Sequence, residues 1–179
     1  MRSRYAARSA GRGDHQIFTQ ILTTLDGSEY AERALTYTRH LAKIAHARVN
    51  LLAVVPTVSS AGAPAATEPD ANREKAALAY LEENAEALRG TGVSDVTTQV
   101  RFGDPARLIT EVARELGADL IVMSTQGLGA DGRYALGSVA LKVLMTAACP
   151  IFLVRINKPE PPRSAAEERW QGEGGANVG

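Results

Sequence analysis

The stretch that decides the fold runs from residue 119 to residue 138 and reads DLIVMSTQGLGADGRYALGS. It begins with an apolar run typical of a buried strand, continues through a glycine-rich loop and ends at Gly137–Ser138, where a helical pattern starts. A helix start leaves backbone N–H groups unpaired and carries the positive end of the helix dipole. Glycines let a ligand approach such a start closely, so the segment predicts a strand, a phosphate-binding loop and a helix.

The glycines of this loop fit two sequence patterns that imply different ligands. Gly127, Gly129 and Gly132 match G-x-G-x-x-G, the pattern of dinucleotide-binding domains. The second pattern is a longer loop, formed by Gly127 and Gly137–Ser138 with nine residues between the two glycines.

The position of the loop in the chain favours the second pattern, the longer loop. A dinucleotide site needs the loop after the first strand, and an acidic residue about 20 positions later at the end of the next strand. Here the loop follows the fourth predicted strand, and Val154–Arg155 stand where the acid belongs. An arginine there could accommodate a 2′-phosphate, so a dinucleotide-binding site stays open as the minor alternative.

Composition predicts one ordinary domain in the cytoplasm. The chain has 179 residues, 45% of them hydrophobic, and a formal net charge of zero. Since no apolar run approaches 18 residues and no basic groove is indicated, we expect neither a membrane nor a nucleic acid as partner. Cys149 is the single cysteine, so no internal disulfide can form, and the three histidines show no zinc-site spacing.

The domain occupies residues 17–156 in this interpretation. Residues 1–16 are rich in arginine and are expected to form a disordered N-terminal tail, although a transit peptide has a similar composition. Residues 157–179 are rich in Pro, Glu and Gly and are expected to form a disordered C-terminal tail. The pattern assigns no role to Trp170 within that tail.

Strand and helix patterns alternate along the domain. Helical spacing is found from Ala31 to His46, over residues 70–89, from an N-cap at Asp104 to Leu116, and around Val139–Leu144. Apolar strand patterns cover residues 17–25, 49–55, 93–101, 118–124 and 149–154. Strands that read as continuous apolar runs are buried on both faces, so we predict a single-domain, doubly wound five-stranded parallel sheet with helices on both faces.

The ligand of such a sheet binds beyond the carboxyl ends of the strands, where the strand order reverses. Strands one and four are the candidates: strand one ends in Thr24–Leu25–Asp26 and strand four in Met123–Ser124. Asp26 can accept hydrogen bonds from an adenine amino group or a ribose hydroxyl, or else it caps the helix that starts near Ser28. Val54, at the end of strand two, either forms an apolar wall for a base or belongs to the core.

The predicted phosphate contacts lie at the start of the fourth helix. Gly137 allows close approach, Ser138 offers its hydroxyl and its N–H, and Val139 continues the row of N–H groups. Arg133, inside the loop, either reaches the phosphates or stays in solvent.

Four segments together resemble the universal stress protein family over residues 17–156. They are the first strand and turn at residues 21–29, Gly103–Asp104–Pro105, the loop from Ser124 to Ser138, and Cys149–Val154. The resemblance implies a Rossmann-like fold of the adenine nucleotide alpha hydrolase type and a role in stress response.

The ATP-binding branch of that family has a motif of Gly, two residues, Gly, nine residues, Gly and then Ser or Thr. This chain matches at Gly127, Gly137 and Ser138 but has Ser124 at the first position. The resemblance implies ATP as the ligand, with Mg²⁺ or Mn²⁺ bound through the phosphates and with the base near Asp26, Val54 and Met123. It also implies a homodimer paired through the fifth strand, at Pro150–Val154.

Catalytic groups are not evident around this predicted site. No lysine follows a glycine loop as in P-loop enzymes, no serine is paired with a histidine, and no second carboxylate accompanies Asp26. Cys149 is expected to be an inert thiol. We therefore expect binding rather than catalysis, with nucleotide-dependent association with a protein partner that the sequence does not identify.

Two alternatives remain at this point. The first is a weak ATPase. The second is a nucleotide-free dimeric interaction module of the same fold, which Ser124 keeps open because its side chain stands where the motif has glycine.

Overall fold

The computed structural model describes residues 18–57, 70–127 and 136–155. Within these ranges strands and helices alternate strictly along the chain. Their bounds are β1 (Gln20–Leu25), α1 (Glu29–Ala45), β2 (Arg48–Val55), α2 (Asp70–Gly90), β3 (Val96–Phe102), α3 (Pro105–Leu116), β4 (Leu120–Ser124), α4 (Ser138–Thr146) and β5 (Ile151–Val154).

The strands form one parallel sheet in the order β3-β2-β1-β4-β5. In the register, Ile21 of β1 lies opposite Val49 of β2 on one side and Leu120 of β4 on the other. The chain builds outward from β1 to β3 and then returns to add β4 and β5 on the opposite side. This confirms the predicted doubly wound parallel sheet and makes β1 and β4 the neighbours at which the order reverses.

Helices cover both faces of the sheet, as predicted. The core on the α1 and α2 face contains Ile21 and Leu25 of β1, whereas Leu22 of the same strand faces α3 and α4. Every residue of β4 is buried. Burial on both faces explains why these strands read as continuous apolar runs instead of alternating patterns.

Side chains cap two of the helices on their N-terminal side. The Oγ of Ser28 accepts a hydrogen bond from the N–H of Ala31 at 3.1 Å, so Ser28, not Asp26, is the N-cap of α1. Asp104 caps α3 by accepting from the N–H of Arg107 at 2.8 Å. The N-cap of α4 is Gly137, and no side chain caps that helix.

Some apolar residues of the predicted helices lie at the surface. Leu78 is 45% exposed and Leu144 is 47% exposed. In both cases the adjacent residue carries the inward stripe, at Ala77 and at Val143, and one residue further is a rotation of about 100° around the helix axis.

Four strands also start later than the sequence pattern predicts. β1 begins at Gln20, β3 at Val96, β4 at Leu120 and β5 at Ile151. Val93 and Ala118 are nevertheless buried, because the turns that precede these strands pack into the core. Apolar residues in buried turns and in strands look alike in sequence.

Several predictions fall outside the described residues. These are the two tails, Trp170, and the loop positions Gly129, Gly132 and Arg133. In the three described ranges, no helix combines the length and the apolar character needed to cross a membrane.

Candidate functional site

A cavity of about 620 Å³ opens at the carboxyl ends of β1, β2 and β4. Its walls come from the first turns of α1, α3 and α4 and from α2, and this volume lies in the range of small-molecule sites. The cavity therefore lies at the switch point between β1 and β4, where the sequence predicted a ligand.

The residues predicted for the site come together around this cavity although they are distant in sequence. Each of them lines it: Thr24, Leu25, Asp26, Val54, Met123, Ser124, Gly127, Gly137, Ser138 and Val139.

The turn between β1 and α1 fixes one oxygen of the Asp26 carboxylate. Its Oδ1 accepts hydrogen bonds from the N–H of Ser28 at 3.1 Å and from the Oγ of Ser28 at 2.6 Å. The same Ser28 hydroxyl caps α1, so the position of the carboxylate is tied to the start of that helix. Asp26 thus stabilises the turn between β1 and α1 and also lines the cavity.

The glycine loop meets this carboxylate at Gly127. A Cβ atom added at Gly127 would lie 3.2 Å from Cγ of Asp26 and would overlap its Oδ2. Only a residue without a side chain lets the loop backbone and the carboxylate approach this closely.

The start of α4 is held against the end of β4. The N–H of Gly137 donates to the carbonyl oxygen of Thr125 at 2.6 Å, and the N–H of Thr125 donates to the carbonyl oxygen of Val154 at 3.0 Å. A Cβ atom at Gly137 would lie 3.2 Å from the same Thr125 oxygen, which is tighter than ordinary contact. Glycine is therefore needed here for close packing, and Thr125 links the start of α4 to β5.

The first turn of α4 has the properties of an anion site. It lacks a side-chain cap and contains no acidic residue, in contrast to α1, where Glu29 and Glu32 occupy the first turn. The N–H groups of a first turn have no partner within the helix, and the helix dipole makes them attractive to negative charge. Ser138 and Val139 carry such groups at the cavity wall.

The Ser124 hydroxyl forms a hydrogen bond within its own turn. Its side chain is buried and its Oγ donates a hydrogen bond to the carbonyl oxygen of Gln126. The hydroxyl is thus engaged in its own turn, at the point where the chain leaves β4 for the glycine loop.

Some lining residues were missed in the sequence. Ala77 and Tyr80 of α2 and Pro105 and Ile109 of α3 also form cavity walls. They show only ordinary helical periodicity or capping, so no local signal distinguishes them from core residues.

The electrostatics of the cavity are simple. Asp26 is the only charged side chain among the described residues that line it. The described ranges contain no group of three or more His, Cys, Asp or Glu residues that could hold a metal ion.

Cys149 does not line the cavity. It is partly buried, and this burial raises the pKa of its thiol above the ordinary value, with a further contribution from the charge of Asp119. Such a thiol has little thiolate at neutral pH, in accord with the expected inert role.

The β5 side of the sheet presents apolar side chains at its edge. Phe152 is 37% exposed and its ring lies 5.4 Å from the ring of Tyr37, which is 45% exposed. In the described part of the chain, β5 pairs with β4 alone. An edge strand of this kind offers unpaired backbone groups beside apolar side chains.

Comparison with known proteins identifies relatives that span this whole arrangement. The model of the universal stress protein family matches residues 18–155. A universal stress protein of Thermus aquaticus is 38% identical over 140 residues, which cover 78% of this chain and 100% of the relative.

Solved structures share the fold. The universal stress protein UspA of Lactobacillus plantarum is 27% identical, with a TM-score of 0.67 over 76% of this chain and 97% of that one. A universal stress protein solved in complex with cAMP is 23% identical, with a TM-score of 0.61 over 78% of this chain and 99% of that one. With the match over residues 18–155 and the relative from Thermus aquaticus, these findings place the chain in the universal stress protein family.

Proposed function

We propose that this protein binds ATP in the cavity between the end of β1 and the start of α4. The observation that carries the proposal is that the uncapped first turn of α4, at Gly137, opens onto the same cavity as the Asp26 carboxylate. One end of the cavity attracts phosphate, and the other accepts hydrogen bonds from a nucleoside.

Charge sets the direction of the ligand. The Asp26 carboxylate repels phosphates and attracts hydroxyl and amino donors, so the nucleoside lies toward β1. The phosphates then lie at Gly137, Ser138 and Val139, where N–H groups and the Ser138 hydroxyl can donate to them. Val54 and Met123 supply apolar surface for the base.

A divalent cation fits this arrangement as a companion of the phosphates. The described cavity wall contains no cationic side chain, so Mg²⁺ or Mn²⁺ bound to the phosphates would offset their charge. Asp26 stands at the nucleoside end and is not assigned to the metal.

A relative supports the choice of an adenine nucleotide. The universal stress protein in complex with cAMP has the same fold, and cAMP contains an adenine base, a ribose and a phosphate. The cavity of this chain offers apolar, carboxylate and N–H groups for these three parts.

We assign binding, not turnover, to the cavity. Among its described lining residues there is no lysine, no histidine and no second carboxylate to activate water. Nucleotide binding in this cavity regulates association of the protein in the cytoplasm. One partner is a second copy, bound through Pro150–Val154, and the other is a further protein that acts in the stress response. The link from Gly137 through Thr125 to Val154 connects the phosphate end of the cavity to the β5 edge.

Native mass spectrometry of the freshly purified protein tests the proposal, because it reports bound nucleotide and oligomeric state together. We expect retained ATP and a dimer in the wild type, and loss of the nucleotide in Gly137→Trp, because a side chain there meets the Thr125 carbonyl. Gly90→Trp is the matched control, since a Cβ atom at Gly90 meets no atom within 4 Å.

The alternatives are separate outcomes of the same experiment. A dimer without nucleotide, together with no thermal shift in millimolar ATP, would identify a nucleotide-free interaction module. Retained ADP with steady release of phosphate that stops in Gly137→Trp would identify a weak ATPase.

A further inference from the structure

The cavity extends over both faces of the sheet, and the proposed nucleotide contacts use only part of it. Val54, Met123 and Val139 line the half that belongs to the core on the α3 and α4 face. The other half belongs to the core on the α1 and α2 face, and we call it the α2 lobe. Its wall is formed by Ala31, Ala53, Ala77 and Tyr80. None of these four residues is assigned to the nucleotide.

Short side chains leave room in the α2 lobe. Three of its four wall residues are alanines, which end at Cβ, and two of these, Ala31 and Ala53, are buried. The wall residues come from three elements, α1, β2 and α2. Protein interiors are normally packed as densely as organic crystals, so open apolar space beside a core is expected mainly where a ligand binds.

The polar group that the α2 lobe offers to a ligand is the hydroxyl of Tyr80. Its oxygen is buried and has no hydrogen-bond partner among the described residues. Two carbonyl groups at the rim are already engaged: that of Val55 accepts from the N–H of Gly103 at 3.0 Å, and that of Pro56 accepts from Arg73 at 2.8 Å. A buried hydroxyl without a partner is unfavourable, and a ligand that bonds to it removes this cost.

The charge of the wall restricts the ligand further. The four residues of the α2 lobe carry no charge, and the Asp26 carboxylate in the same cavity repels anions. An ionised group placed in the lobe would lose its water without gaining a partner of opposite charge. Apolar cavities lined by short or branched side chains accept single-ring molecules such as benzene.

We propose that the α2 lobe is a second binding site, for a small, uncharged and mainly apolar molecule whose one polar group forms a hydrogen bond with the Tyr80 hydroxyl. The site is occupied beside the nucleotide, not in place of it. The inference goes beyond the proposed function, because its residues are distinct from those assigned to ATP.

Phenol is the probe for this site, because it combines one apolar ring with one hydroxyl group. We expect nuclear Overhauser contacts in NMR spectra between the phenol ring and the methyl groups of Ala31, Ala53 and Ala77. These contacts should be present in the ligand-free protein and should persist when the protein is saturated with ATP. Benzoate, which has a similar ring but a negative charge, should give none of them.

Filling the α2 lobe should remove the binding of phenol. In Ala77→Leu the larger side chain takes the place of the ring, and we expect phenol affinity to fall at least about 10-fold. Thermal unfolding checks that this variant is folded. Ala76→Leu is the matched control, because Ala76 is an exposed neighbour on the same helix and does not line the cavity.

The variant Tyr80→Phe tests the hydrogen bond, because it removes the hydroxyl and keeps the ring. Phenol affinity should fall about 3- to 10-fold, the effect of losing one hydrogen bond, whereas benzene affinity should not fall. Tyr37→Phe is the control, because Tyr37 lies at the β5 side and does not line the cavity.

Three results would overturn the inference while leaving the proposed function intact. They are the absence of phenol contacts with the three alanines, displacement of phenol by ATP, and equal phenol affinity of Ala77→Leu and the wild type. If the wild type binds no ATP, the proposed function fails, and the contacts of phenol in the ligand-free protein still decide the inference.

Discussion

The backbone of Gly127 lies directly against the carboxylate of Asp26, so closely that a Cβ atom at residue 127 would overlap Oδ2 of the aspartate. These residues are separated by the greater part of the chain but lie at the ends of neighbouring strands, β1 and β4. The contact couples the position of the glycine loop to that of the Asp26 carboxylate in the cavity wall. A change at either residue should therefore be detected at the other.

Replacement of Gly127 with alanine should weaken nucleotide binding. The added methyl group displaces the Asp26 carboxylate, and we expect ATP affinity to fall at least about 10-fold, as for loss of a hydrogen bond to a charged group. The free energy of unfolding should change little, because Asp26 is exposed and can move. Calorimetry and urea unfolding measure the two effects, with Gly90→Ala as control; equal affinity of Gly127→Ala and wild type would refute the prediction.

A buried pair of threonines should show strong energetic coupling. The hydroxyl oxygens of Thr23 and Thr38 lie 2.8 Å apart, and Thr38 also donates to the carbonyl of Ala34 at 3.1 Å. Both side chains are fully buried, so Thr38→Val leaves the Thr23 hydroxyl without this partner and should lower the free energy of unfolding by about 1–3 kcal/mol.

The double variant Thr23→Val/Thr38→Val completes this test. It should be less destabilised than the sum of the two single variants, because no buried hydroxyl is then left alone. Urea unfolding of all four proteins gives the coupling energy, and strict additivity would contradict the geometry.

Reactivity of Cys149 should depend on pH in a defined direction. Its pKa is raised, mainly by burial, so alkylation by iodoacetamide at pH 8 should be slower than for a free thiol and should increase as the pH rises above about 9. The unfolded protein in urea is the control and should react at the ordinary rate.

The same pKa shift contributes to stability. The folded state holds the thiol proton more tightly than the unfolded state, so this contribution is present below the unfolded pKa and is lost as the pH rises through the folded pKa. Alkylation of the folded protein at the rate of a free thiol at pH 8 would show that the thiol is not shielded.

Charge at the β5 edge should prevent association. Phe152→Lys places an ammonium group in the apolar contact with Tyr37, and we expect a monomer by analytical ultracentrifugation where the wild type forms a dimer. Ile44→Lys is the matched control, because Ile44 is 80% exposed on α1. A dimer that persists in Phe152→Lys would exclude β5 as the pairing surface.

Much of the fold was predictable because its signals are local. Asp104–Pro105 starts α3 and Gly117, in a left-handed conformation, ends it, as the sequence indicated. The predicted strand starts were wrong by two or three residues where apolar residues such as Val93 and Ala118 lie in buried turns. The predicted residues of the site line one cavity because they lie at the carboxyl ends of strands, in the turns that follow, or at the start of α4, and these parts meet at one edge of a parallel sheet.

The amino-acid sequence by itself determined the alternation of strands and helices, the glycine positions and the site residues on the strand ends. Only the tertiary structure decided that Ser28 caps α1 while holding Asp26, that Gly127 is needed for contact with Asp26, and that Tyr80 reaches the cavity from α2. Hydrophobic periodicity and capping act over a few residues and leave a local trace. Contacts between distant segments depend on strand order and helix packing, and no short stretch of sequence encodes them.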